Sequence, residues 1–364
     1  MPGTVLLIGT RRGLILARSE DRRSWTLAAP VLDGREVFHA FRDGRTGHLW
    51  AASTHRVWGS HVHRSTDGGA TWDTLEAAPA HPDRRGLRAI WRLAPGPLDR
   101  PDVLYAGVEP AGLFVTRDAG RCWEPVASLN DHPTSGTWQA MGGGLALTDV
   151  YVAEDEPDRI YAAVSAGGVY RSDDGGRSWA PRNAGVRACF QPDEFPESGQ
   201  CVHKLIPHRG LPGRLYQQNH CGTYRSDDHG DTWTDVTPGL PTDYGYALAV
   251  DPADPDRAWV VPETSSHMRT VADARLRVFE TRDAGATWTP LERGLPQEHA
   301  YVTILREGLA TDTGRPTGVY CGTSGGHLFA SADGGASWRQ VAGFLPRILC
   351  VGAFTPARPA GGMP

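Results

Sequence analysis

The chain has 364 residues and a hydrophobic fraction of 40%, enough for a packed core and too much for a disordered chain. A formal net charge of -5 argues against a nucleic-acid or anionic-membrane partner, and no apolar run approaches a membrane span. Gly 44 and Pro 28 favour many short strands joined by turns over a helical protein.

The chain opens on an apolar stretch, Val5 to Ile8, too short for a signal-peptide core. Six cysteines (Cys122, Cys189, Cys201, Cys221, Cys321 and Cys350) lack CxxC spacing and read as reduced thiols of a cytoplasmic protein. Thr4 to Ser19 reads as a hairpin ending in the worn turn Ser19-Glu-Asp21-Arg-Arg-Ser-Trp25. Six intact copies of Ser/Thr-x-Asp-x-Gly-x-x-Trp follow: Ser65–Trp72, Thr116–Trp123, Ser172–Trp179, Ser226–Trp233, Thr281–Trp288 and Ser331–Trp338. Their tryptophans are spaced by roughly 47 to 56 residues, the length of a propeller blade.

Within each repeat an apolar strand such as Leu104-Tyr-Ala or Ile160-Tyr-Ala precedes a strand such as Gly112-Leu-Phe or Gly168-Val-Tyr, which enters the turn. The Asp and Ser side chains of the turn close it on backbone N–H groups, and the Trp opens the next strand. The motif resembles the BNR, or Asp-box, repeat of sialidase-like and sortilin-like propellers, over nearly the whole chain. That resemblance implies an all-β, seven-bladed propeller with Asp-box turns, spanning 1–354. The first hairpin lacks an inner strand and Pro346 to Phe354 has no continuation, so strands from both termini are expected to complete one blade and close the ring. Residues 355–364 read as a disordered tail.

In a propeller the innermost strands line a channel, and their starts share a face with the turns after the second strands. Aligning the repeats sends Glu109, His220 and Glu263 to those turns, and His39, Trp91, Thr148/Asp149, His203, Tyr246 and Arg306 to the inner-strand starts. Long connections on the same face carry His132, Trp138, Gln139 and Met141 (129–144), Phe190, Asp193 and Glu194 (183–200), and His267 (265–274). His203 and His220 fall on adjacent antiparallel strands, a spacing that suits a divalent transition metal such as Zn, Fe or Cu, with His39 and His132 as further ligands.

The sequence therefore points to a metal-dependent enzyme acting on a small molecule, with Glu109, Glu263, Tyr246 and Arg306 as acid, base or electrophilic groups. A metal-free glycoside hydrolase or lyase using Glu109 and Glu263 is the alternative, and a binding scaffold the third reading. A sialidase would need an arginine triad, and only Arg11, Arg306 and Arg347 approach the opening; Thr10-Arg11-Arg12-Gly13 is the nearest match to its Arg-Ile-Pro motif.

Overall fold

The computed structural model describes residues 3–83, 85–139 and 144–356. Met141 of the long connection and the tail from residue 357 lie outside the described residues. Seven four-stranded antiparallel sheets form the blades of a β-propeller. Their inner strands are Ile348–Phe354, Glu36–Arg42, Ala89–Pro95, Leu147–Val152, Val202–Pro207, Gly245–Asp251 and Leu309–Thr311, in order around the ring for blades 1 to 7. Among the described residues no helix is long and apolar enough to cross a membrane.

Closure is as expected. Thr4–Thr10 pairs on one side with Gly13–Ser19 and on the other with Ile348–Phe354, so blade 1 takes three strands from one end of the sequence and its inner strand from the other. Gly9 is required at this seam: a Cβ there would stand 2.4 Å from both Cys350 Sγ and the Val37 carbonyl of blade 2.

The repeat turns act as clasps. In the first, Ser65 Oγ donates to Asp67 Oδ1 at 2.8 Å, Gly69 N–H donates to Ser65 Oγ at 2.9 Å, and Thr71 N–H donates to Asp67 Oδ1 at 2.9 Å. The intact copies at Asp228 and Asp333 repeat this pattern. Asp21 holds its worn turn through the N–H groups of Arg23 and Ser24, although the glycine is missing. The tryptophans that follow pack between blades: Trp233 of blade 5 is 5% exposed, sits with Tyr161, Ala163 and Val169 of blade 4, and donates to the Arg182 carbonyl at 2.9 Å.

One irregularity recurs and decides what faces the channel. Five successive inner strands carry a β-bulge at the same height, between Val37 and His39, Ile90 and Arg92, Leu147 and Asp149, Val202 and Lys204, and Gly245 and Ala247. The unpaired residues are Phe38, Trp91, Thr148, His203 and Tyr246. A bulge interrupts the alternation of side chains along a strand, so two neighbours can serve the same lumen at different depths.

Candidate functional site

Three of the bulged residues, Phe38, Trp91 and Tyr246, line the mouth of the channel. Phe38 packs on Trp91 (5.0 Å between ring centres), Arg306 lies over Trp91 (5.2 Å) and over Tyr246 (4.9 Å), and Tyr246 stacks on His203 (4.5 Å). A cavity of about 240 Å³ opens here, lined by Phe38, Trp91, Tyr246, Arg11, Arg269, Arg306 and Arg347 among others. The expected Tyr246 and Arg306 are thus both at the opening, as are Arg11 and Arg347. Arg269 and Glu36 were not anticipated; Glu36 begins an inner strand, a position the alignment passed over.

Charge at the mouth is unbalanced. Glu36 accepts from Arg11 Nε at 3.0 Å, while burial and the neighbouring Arg11 push the Arg347 pKa down. Glu109 is 6% exposed and held at two points, by Arg88 Nη1 at 3.2 Å and by Trp91 Nε1 at 3.0 Å. Glu263 is fully buried beneath the mouth, and neither carboxylate oxygen has a hydrogen-bond partner among the described residues. Burial raises its pKa to about 8, against the opposing pull first of the nearby Ile304 N–H and then of Arg269, Arg306 and Arg347. The carboxyl group therefore keeps its proton at neutral pH.

Below the mouth a second ring spans the channel. His39, Arg92, Asp149 and Lys204 each follow a bulge, and Glu307 joins them from blade 7. Lys204 Nζ donates to Asp149 Oδ1 at 3.1 Å and also to Glu307, and Arg92 Nη1 donates to both Glu307 oxygens at 3.1 Å. Burial alone would raise the Glu307 pKa, but Lys204 and Arg92 outweigh it and hold the group well below the usual carboxylate range.

Two expected ligands do not join His203 and His220. His39 lies one residue past its bulge and so belongs to the charged ring; burial and Arg92 hold its pKa well below 6.5. His132 caps the short helix Pro133–Thr137: its Nδ1 accepts from Thr134 N–H, its Nε2 donates to the Trp179 carbonyl at 3.2 Å, and its ring packs on Tyr170. The connection around it folds onto blade 4, where Trp138 Nε1 donates to Tyr170 Oη at 2.8 Å. The reading of six reduced thiols also fails, because Cys189 and Cys221 form a disulfide that pins the 183–200 loop to the turn after His220.

His203 and His220 are neighbours as expected, with ring centres 5.7 Å apart, and Cys201 joins them. Tyr244 packs against both imidazoles at 5.3 and 5.0 Å, and its hydroxyl donates to Tyr246 Oη. Among the described residues Cys201, His203 and His220 are the one group of three or more His, Cys, Asp or Glu side chains whose ligand atoms converge as a metal needs.

Comparison with known proteins adds a chemical context. No protein-family profile matches the chain. It is 27% identical over 254 residues to a probable oligoxyloglucan-reducing end-specific xyloglucanase of Neosartorya fischeri, covering 62% of this chain and 30% of that protein. It is 25% identical over 239 residues to the xyloglucanase Xgh74A of Acetivibrio thermocellus, covering 56% and 26%. Among solved structures, the GH74 xyloglucanase of Xanthomonas campestris aligns over 98% of this chain and 52% of its own, with a TM-score of 0.64 and 20% identity. YCF48 from Cyanidioschyzon merolae aligns over 88% of both chains with a TM-score of 0.60 and 15% identity. The chain thus spans less than a third of these curated relatives and about half of the GH74 structure, and the structural likenesses support the propeller itself.

Proposed function

We propose that the chain is a glycoside hydrolase whose cleavage step uses no metal and whose oligosaccharide substrate enters at the arginine-lined mouth. The observation that carries this reading is Glu263, a fully buried carboxyl group without a partner whose pKa is pushed up to about 8. A group that holds its proton at neutral pH suits the general acid of glycosidic cleavage, and a second carboxylate must then direct water or offset developing positive charge. Glu109 fills that second role, fixed by Arg88 and the Trp91 indole. Arg306, between Trp91 and Tyr246, grips the substrate. The xyloglucanase relatives support the reaction class. The excess of guanidinium groups at the mouth favours an oligosaccharide that carries carboxylates over a neutral one.

The test is release of reducing ends from xyloglucan oligosaccharides and from uronate-bearing oligosaccharides, with and without a chelator. Cleavage should be insensitive to the chelator, and Glu109→Gln should lower kcat on the order of 100-fold or more. A second reading, binding without cleavage, rests on the enclosure of Glu263, which is 0% exposed. Saturable binding of these oligosaccharides without new reducing ends decides for it.

A further inference from the structure

Cys201, His203 and His220 come together through backbone geometry as well as side-chain proximity. Val202 pairs with Asn219 where the inner and second strands of blade 5 meet, and His220 N–H donates to the Cys201 carbonyl at 2.9 Å. The bulge after Val202 takes His203 out of the ladder. The disulfide at Cys221 anchors the residue after His220.

The imidazole of His203 is oriented as a ligand. Its Nδ1–H donates to the Gly245 carbonyl at 2.6 Å, which leaves Nε2 as the nitrogen with a free lone pair. A carbonyl holding the far nitrogen is the usual support of a metal-bound histidine, since it fixes both tautomer and ring plane. Nε2 stands 3.5 Å from Cys201 Sγ, and one ligand atom from each of the three residues lies within 4.8 Å of the others. A tetrahedral ion with bonds of about 2.3 Å to sulfur and about 2.0 Å to nitrogen separates those two donors by about 3.5 Å. The donor set also selects the ion. One thiolate and two imidazoles suit a borderline-soft cation and are a poor match for Mg²⁺ or Ca²⁺, which take oxygen.

We propose that Cys201, His203 and His220 form a Zn²⁺ site at the edge of the mouth. Binding forms one Zn–S and two Zn–N bonds and releases the Cys201 thiol proton to solvent, because the thiolate is the ligand. Three protein ligands leave a fourth position for water. The ion takes no part in the cleavage step proposed above, so the site stands or falls separately from that reading.

The experiment uses the untagged chain with its disulfide intact, stripped by chelator and titrated with Zn²⁺ in buffers of different ionisation enthalpy. The expected result is one ion per chain with about one proton released. Co²⁺ in place of Zn²⁺ should add a thiolate-to-metal charge-transfer band that vanishes in Cys201→Ser. His220→Gln is the second variant, since the His220 side chain makes no hydrogen bond to the described residues and its loss spares the fold. Both variants should weaken Zn²⁺ binding beyond the roughly 10–100-fold that loss of a supporting partner costs. Less than about 0.1 ion per chain after reconstitution, or undiminished binding in Cys201→Ser and His220→Gln, would overturn the site.

Discussion

Glu263 makes stability depend on pH in a way that one substitution should remove. In the unfolded chain its carboxyl group titrates near 4.5, whereas burial holds it at about 8 in the folded protein. Below 4.5 both states carry the proton and the group contributes no pH dependence. Between 4.5 and 8 the unfolded chain has released the proton and the folded chain still holds it, so stability falls as pH rises. Above 8 both states are ionised and the loss is complete. At about 1.4 kcal/mol per pH unit, this one group should cost about 3.5 kcal/mol between pH 5 and pH 8. Glu263→Gln keeps the shape of the protonated side chain and cannot ionise. Urea unfolding of both proteins at pH 5, 6, 7 and 8 measures the difference directly, because every other titrating group is common to the pair. The variant should match the wild type at pH 5 and be more stable at pH 8. Two parallel stability curves, differing by less than about 1 kcal/mol across this range, would refute a neutral buried Glu263 and with it the proposed acid.

Two further changes test the scaffold. Trp233→Ala should cost roughly 3–5 kcal/mol in urea unfolding, since it empties the layer between blades 4 and 5 and strands the Arg182 carbonyl; a cost under about 1 kcal/mol would contradict the packing. Lys204→Met should cost roughly 3–5 kcal/mol at pH 7 by leaving Arg92 as the one cation paired with Asp149 and Glu307 among the described residues, and acid should narrow the gap as Glu307 is protonated; a gap that widens on acidification would contradict the network.

The propeller was legible because six of the seven blades repeat one local solution: a turn closed by its own Ser or Thr and Asp, a glycine where the backbone needs it, and a Trp that starts the next strand. The closing blade was legible for the complementary reason, an N-terminal hairpin without an inner strand and a C-terminal strand without a sheet. Within the site, His203 and His220 were predictable from antiparallel pairing. Cys201 was read only as one of six reduced thiols, since nothing in its spacing shows where its sulfur points. His39 failed by one residue: bulges add an unpaired residue without a sequence mark, so the alignment chose His39 where the structure uses Phe38. His132 failed because an imidazole that caps a short helix looks the same in sequence as one that binds a metal. The Cys189–Cys221 bridge, across 32 residues of sequence, depends on a loop path that composition does not encode.

The recurring bulge also explains why the mouth and the channel beneath it differ in polar chemistry. Because the extra residue breaks the alternation, the residue after it serves the lumen one level down. At that level the four side chains are His39, Arg92, Asp149 and Lys204, and with Glu307 the two cations face two carboxylates. Buried charges of this kind persist only when paired, and here the pairs cross the axis and join blades 3, 4, 5 and 7. At the level above, Trp91, Tyr246 and Arg306 stack as a wall, and Glu36 and the protonated Glu263 are carboxyl groups close to the arginines beside them, with Glu109 held on the Trp91 indole. An oligosaccharide or anion arriving at the propeller therefore meets unsatisfied donors at the mouth and a self-satisfied charge network beneath it. The same break in alternation frees His203 from its strand to face Cys201 and His220, the cluster proposed above to bind Zn²⁺.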